Sequence, residues 1–372
     1  MICEATGSEQ VNLMGRCEGA SLILAYLASY GSDRISRMML YTPTSEEYML
    51  ASQTFAGKIE FSFPEISTWV DHNRYFSLDS LPIDSNLIEL LDATLRLAAE
   101  SRLGLSQAAL NRMYNRIFKS ILPDILLASY ATMPATWSMV SDEDFETAMS
   151  FVFGGKEAQY AGLIERIRTY HDTAGVVSDA LLTEAAENGV HIGVITKYGY
   201  PAMPLFEESA LLTDGSCLIR YSSFGATAST YDGTLSDSYI VSRWEAGKSA
   251  YISPDKKIDA STCLFPDTTW FVGGIDHDNF PWCIDLFVEG FMLSQEPMTV
   301  HSDGNRPQFM LYENGEIVPM TAENADRSTV SEPKQASSGS VFLRFLRSLG
   351  NVLRNYLRSF FSDLIDRVKG TA

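Results

Sequence analysis

An α/β fold built on a parallel sheet is predicted by three features of the 372-residue sequence. Short apolar runs alternate with segments of helical periodicity, and glycines stand directly after several of the runs. One strand–helix–strand unit is also complete within about 30 residues, the spacing of a parallel crossover. In that unit Val11-Asn12-Leu13-Met14 closes on Gly15, as a buried parallel strand does. Ala20 to Tyr30 is rich in Ala, Leu and Ile and stops at Gly31, a residue suited to a helix C-terminus. Met38 to Tyr41 is the second strand, closed by Thr42-Pro43.

From 44 to 189 the texture is helical. Asn86 to Glu100 and Ser106 to Leu122 carry apolar residues at i, i+3, i+4 spacing. Ser141 followed by Asp142, Glu143 and Asp144 marks a helix start. Glu157 to Tyr170 and Val177 to Glu187 complete the set, and so long an insert after a strand–helix–strand unit resembles a cap or lid over the sheet. The sheet resumes with His191 to Ile195 and with Thr269 to Val272, the latter followed by Gly273-Gly274. Phe309 to Pro319 is expected to be a hairpin, because Asn314-Gly315 favours a type I′ turn. Asp326 to Gly339 is polar and reads as a flexible linker. The expected organisation is therefore core at 1–43, cap at 44–189, the rest of the core at 190–325, linker at 326–339 and a terminal segment at 340–372.

Composition narrows the function. Hydrophobic residues make up 45% and charged residues 20%, the balance of a soluble globular chain. No run of about 18 apolar residues occurs, and the first ten residues have neither a basic nor an apolar leader region. As written, the sequence predicts a cytoplasmic product. The net charge is −19, but residues from Ser340 onward carry a surplus of +4, which leaves −23 on the rest. So acidic a body excludes nucleic-acid binding, which needs a basic footprint. The five cysteines, Cys3, Cys17, Cys217, Cys263 and Cys283, follow neither a disulfide framework nor a C-x-x-C spacing, and H-E-x-x-H is absent. No metal and no cofactor are expected, and Asp276-His277-Asp278 reads as a polar loop.

The chemistry is concentrated in Gly15-Arg16-Cys17-Glu18-Gly19, a G-x-nucleophile-x-G turn between strand and helix. Small flanking residues, Gly15 and Gly19, let strand and helix approach, while the helix N-terminus favours a thiolate. The backbone N–H of Glu18 would then be one oxyanion donor. A cysteine nucleophile needs a base and a group that orients it. Among five histidines, His191 begins a buried strand, His171 ends a cap helix, His72 lies in the cap and His301 follows the sheet in a polar stretch. His277 alone follows an apolar strand through a Gly-Gly turn, at the strand end where ligands of parallel sheets gather. The acid is left between Asp214, in an Asp-Gly turn, and Asp259.

Val11 to Pro43 resembles the nucleophile elbow of α/β-hydrolases of the lipase and lecithin:cholesterol acyltransferase group. Thr213-Asp214-Gly215-Ser216-Cys217 with Ser222 resembles that group's acid-bearing turn, and Gly274-Ile275-Asp276-His277 its histidine segment. The order nucleophile, acid, histidine is that of the fold. The resemblance spans Val11 to Asn279 through these three short stretches. It implies a partial α/β-hydrolase sheet, Cys17 as nucleophile, Asp214 as acid and His277 as base. It also implies an acyl-ester substrate, hydrolysed or transferred through a covalent acyl-enzyme. Two alternatives accompany it: a polyhydroxyalkanoate-synthase-like thioester acyltransferase, and an inactive hydrolase fold that binds a membrane or a partner.

The sequence departs from that group twice. A cysteine replaces the usual serine, as in dienelactone hydrolases and polyhydroxyalkanoate synthases. Only Met1 to Gln10 precedes the elbow strand, where the fold has several earlier strands and a second oxyanion donor. That shortness reads as a fragment, a start placed downstream of the true one, or a sheet completed by a second polypeptide; a parent with an upstream signal would be secreted or membrane-associated. Finally, Phe342, Phe345, Leu346, Leu349, Leu353, Tyr356, Phe360, Leu364 and Val368 form an apolar stripe with Arg344, Arg347, Arg354 and Arg358 beside it. A basic amphipathic helix over 341–368 is expected, suited to contact with a membrane surface.

Overall fold

The computed structural model describes residues 2–43, 49–58, 133–175, 178–201, 211–277 and 279–330, with isolated positions between 108 and 130. The helix expected at Asn86 to Glu100, the linker beyond Val330, the amphipathic segment at 341–368, His72 and Asp278 lie outside the described residues. The chain divides into two compact units, one of residues 1–59 and 126–332 and one of 60–125 and 333–372; the sheet and the candidate site belong to the first.

The sheet has six strands, lying side by side in chain order. They are β1 (Val11–Arg16), β2 (Ile35–Tyr41), β3 (His191–Tyr198), β4 (Thr269–Gly273), β5 (Phe309–Glu313) and β6 (Glu316–Pro319). The first five are parallel, and β6 returns antiparallel to β5. The return is the expected hairpin: Asn314 and Gly315 have φ of 52° and 90°, as a type I′ turn requires at both central positions.

Strand alternation explains why β2 is apolar from Met38 to Tyr41. Met38 and Leu40 face one side, packed with Ala20, Ile23, Leu24 and Leu27 of the helix Gly19–Tyr30 and with Leu182 and Ala185 of the helix Ser178–Glu187. Met39 and Tyr41 face the other, packed with Ile284, Phe287 and Phe291 of the helix Trp282–Leu293. Where a parallel strand is buried on both faces, successive positions are apolar. Helices thus cover both faces, and the fold is α/β. Among the described residues β1 pairs with β2 alone and forms one edge of the sheet, with Met14 exposed.

Between β2 and β3 the described chain is helical, at Met49–Phe55, Asp142–Phe153, Ala161–Tyr170 and Ser178–Glu187. Ser141 is the N-cap of Asp142–Phe153, although its side chain accepts no capping bond. Trp137, Phe55 and Phe153 pack ring against ring in this region. No helix among the described residues is long and apolar enough to cross a membrane.

The polar stretch from Asp326 starts as part of the body, not as a linker. Ala325–Arg327 is a 3-10 turn, Ser328 is buried, its carbonyl accepts from Gly274 N at 2.9 Å, and Val330 N donates to Gly199 O at 2.8 Å. Composition misled here because this segment binds through its backbone.

The two elbow glycines have different roles. A Cβ at Gly15 would lie 2.8 Å from the Gly19 carbonyl carbon and oxygen and 2.9 Å from Ile23 Cδ1. A Cβ at Gly19 would meet nothing within 4 Å, so the expectation of tight approach at both flanks is corrected: only Gly15 is sterically required. Gly15→Ala should cost about 1–3 kcal/mol of stability through overpacking. Gly19→Ala should be neutral or stabilising by about 0.4–1 kcal/mol. Urea unfolding of both variants checks the contrast, and equal losses would contradict it.

Candidate active site

Three strand ends supply the site. Cys17 follows β1 directly, with φ of 47°, and its N–H donates to Tyr41 O at 3.0 Å. A non-glycine residue in this region is strained, and the strain turns its side chain away from the strand line. Thr42, at the end of neighbouring β2, has φ of 43° and is buried. Two strained residues therefore stand side by side at the C-terminal edge of the sheet.

Asp214 is brought in from the end of β3. Gly199 N donates to Thr213 O at 2.9 Å, Thr213 Oγ1 to Tyr200 O at 2.9 Å, and Gly215, with φ of 98°, turns the chain back. The Asp214 carboxylate is fully buried. Its Oδ1 accepts from the N–H groups of Ser216 at 3.0 Å and Cys217 at 2.6 Å.

His277 comes from the end of β4. Gly274, with φ of 75°, makes the turn, and His277 N donates to Asp214 O at 2.8 Å. The ring completes the link, with Nδ1 2.8 Å from Asp214 Oδ2. Nε2 is left for the Cys17 thiol, on which both the His277 ring and Cys217 act electrostatically. Cys17, His277 and Asp214 thus come from neighbouring strand ends at the C-terminal edge, with the imidazole bonded to the carboxylate.

The electrostatics follow from these contacts. Cys17 is held well below the ordinary thiol range: the Cys217 hydrogen bond is the largest cause, burial opposes it, and the charge and hydrogen bond of His277 and the Glu18 N–H add to the lowering. Burial alone would lower His277, but the negative charges of Asp214 and Cys17 outweigh it and raise the imidazole well above its usual range. Burial likewise pushes Asp214 up, yet His277, Lys197 and the Cys217 N–H bring it below its ordinary value. All three shifts run in the direction that favours a thiolate beside an imidazolium and a carboxylate.

Family models, curated proteins and solved structures yield no match to this chain.

Asp259 is engaged elsewhere. Its Oδ2 pairs with Arg243 Nε at 2.7 Å and accepts from Tyr239 OH at 2.8 Å, while Oδ1 accepts from Ser261 N at 2.8 Å. The partner of the imidazole is Asp214. The other described histidines are likewise occupied in packing or solvent. His191 Nε2 lies 2.8 Å from Met298 O, His171 is buried against the Phe145 ring, and the His301 side chain is 65% exposed. Asp276 caps its own loop, its Oδ1 accepting from Asn279 N at 3.0 Å. Ligand atoms of Asp214, Cys217 and His277 lie within 4.8 Å of one another, close enough for a small cation, but the carboxylate and Nδ1 already satisfy each other.

Four groups escaped the sequence reading. Cys217, the largest influence on the Cys17 thiol, stands in the sequence only as the end of an Asp-Gly turn. Lys197 is fully buried, donates to the backbone carbonyls of His277 and Asn279 (3.0 Å for the latter), and lies over the Phe280 ring at 4.1 Å. A lysine inside the apolar run His191 to Tyr198 was the available signal. Tyr130 OH donates to Glu18 Oε1 at 2.8 Å, placing a phenol and a carboxyl at the residue that follows Cys17. Burial, then the Cys17 charge, pushes that carboxyl above its ordinary range.

The lowered thiol gives a pH prediction. A free cysteine loses nucleophilicity as pH falls below about 8.5. Alkylation of Cys17 by iodoacetamide should instead stay near its plateau at pH 7. In His277→Ala, which lacks the imidazolium, the rate at pH 7 should fall to about one-tenth of that plateau. Identical pH profiles for the two proteins would contradict the ion pair.

Proposed function

We propose that this chain is an α/β-hydrolase-like carboxyl-ester hydrolase or acyltransferase that works through an acyl-enzyme on Cys17. The observation that carries the reading is the hydrogen bond of the His277 ring to the buried Asp214 carboxylate, with the charge of the same ring acting on the strained Cys17 thiol.

In this reading the Cys17 thiolate attacks the ester carbonyl carbon, and the C=O electron pair moves onto oxygen. The Glu18 N–H, which already faces the sulfur, stabilises that oxyanion. On collapse the C–O bond to the alcohol breaks, and the imidazolium gives its Nε2 proton to the leaving oxygen. Neutral His277 then takes a proton from water, or from an acceptor hydroxyl, as it attacks the thioester. The thiolate leaves and the ion pair is restored. Asp214 fixes the ring by holding Nδ1–H throughout. Lys197 holds the backbone of the histidine loop, as a positioning residue. In this reading the described helices between β2 and β3 belong to a cap, which the bond from Tyr130 to Glu18 supports.

A thiolate also suits thioester donors, the polyhydroxyalkanoate-synthase-like variant, in which an acyl thioester would be consumed without turnover of oxygen esters. For the leading reading, Cys17→Ala should lower kcat/KM on p-nitrophenyl esters by about 10³-fold or more, with unchanged secondary structure. Asp214→Asn should lower it by about 10²-fold or more. Unchanged ester turnover in Cys17→Ala would rule out the acyl-enzyme.

A further inference from the structure

Glu18, the residue after the nucleophile, is held from two sides. Its backbone is tied to the helix that follows: the Glu18 carbonyl accepts from Ser21 N at 3.1 Å and from Ser21 Oγ at 2.6 Å, and Ser21 is buried. Ala20 N donates to Cys17 O at 3.1 Å, which leaves the Glu18 N–H outside the bonds of this first turn. Its side chain is tied to the chain between β2 and β3, where Tyr130 OH donates to Oε1 at 2.8 Å.

Tyr130 is a firm anchor. It is buried, its ring centroid lies 5.1 Å from that of Phe55, and Phe55 meets Trp137 edge-on at 4.6 Å. Trp137 packs in turn on Phe153 at 5.4 Å. Packing fixes the phenol ring, and the fixed hydroxyl restrains the longer, freer glutamate side chain. The peptide plane that carries the Glu18 N–H turns with ψ of Cys17 and φ of Glu18, because the peptide bond itself is planar. φ of Glu18 is −57°, and with both its carbonyl and its carboxyl held it has little freedom. The direction of the N–H therefore depends on the Tyr130 bond.

On the acyl-transfer reading, we propose that Tyr130 is a positioning residue whose bond to Glu18 aims the oxyanion donor at the tetrahedral oxygen. Acyl transfer then runs at full rate only while the chain around Tyr130 holds the elbow. Tyr130 acts through Glu18, and the thiol itself does not need it. Displacement of iodide from iodoacetamide by the Cys17 sulfur builds no tetrahedral oxyanion, whereas attack on an ester carbonyl does. Loss of the Tyr130 hydroxyl should therefore separate two reactions of the same sulfur.

The test measures both reactions on the full chain at neutral pH. Tyr130→Phe keeps the packed ring and loses only the hydroxyl. Its kcat on p-nitrophenyl acetate should fall about tenfold, part of the roughly 10²–10³-fold that outright loss of an oxyanion donor costs. KM and the rate of Cys17 alkylation should both stay within about twofold of wild type, as for an interaction made only in the transition state. Glu18→Ala, which removes the acceptor, should show the same split. The double variant should lose about tenfold in total and not about a hundredfold, because the two side chains serve one bond. Wild-type kcat in Tyr130→Phe would overturn the proposal. So would parallel losses of ester turnover and alkylation, or losses that multiply in the double variant. Wild-type protein that is alkylated at Cys17 but turns over no ester would instead remove the acyl-transfer reading, and this role with it.

Discussion

A carboxylate with no exposure to solvent must find its compensation inside the protein, and Asp214 is such a group. Removing an ion of this size from water carries an effective cost of several kcal/mol unless hydrogen bonds and opposite charge replace the lost hydration. Here the replacement comes from the His277 ring, from two backbone N–H groups of its own turn, and from the charge of Lys197. Each partner fixes part of the site. The backbone bonds shape the 213–218 turn, the ring bond sets the orientation of His277, and Lys197 ties down the carbonyls that flank it. Lys197 is itself a buried charge, held by those carbonyls and by the faces of Tyr41 and Phe280. Opposite charges on either side of the histidine loop make its position the cheapest way to satisfy both.

That arrangement passes to the nucleophile. With Nδ1 committed to Asp214, only Nε2 is available to the thiol, and the raised imidazole favours the charged pair. The strained φ at Cys17 turns its side chain off the strand line, and the helix that starts at Gly19 adds its N-terminal field. Close approach of strand and helix at Gly15 is what permits the turn, which is why only one of the two glycines is crowded.

Much of this was legible in the sequence. The strands carried unmistakable apolar runs, since a sheet covered on both faces tolerates little else. The Asn314-Gly315 hairpin was equally readable, because its turn type demands those residues. Cys17 and His277 could be singled out because each follows a strand through glycines. Asp214 and Asp259 could not be separated that way: both stand in short polar turns, and only the three-dimensional approach of two loops distinguishes them. Cys217 and Lys197 were hidden for a different reason. Their roles depend on what lies opposite them, and one-dimensional periodicity treats a cysteine as apolar and a lysine as an interruption. The backbone clamp at Ser328 and Val330 had no side-chain signature at all.

The central claim is that Cys17 carries the acyl group during turnover. The most direct measurement is acid-quenched mass spectrometry of the protein mixed with an activated acyl ester, with mapping of the modified peptide. A transient acyl thioester on Cys17, which builds up and decays at the rate of turnover, is predicted. Ester turnover with Cys17 unmodified at every time, or with the acyl group on another residue, would contradict the account.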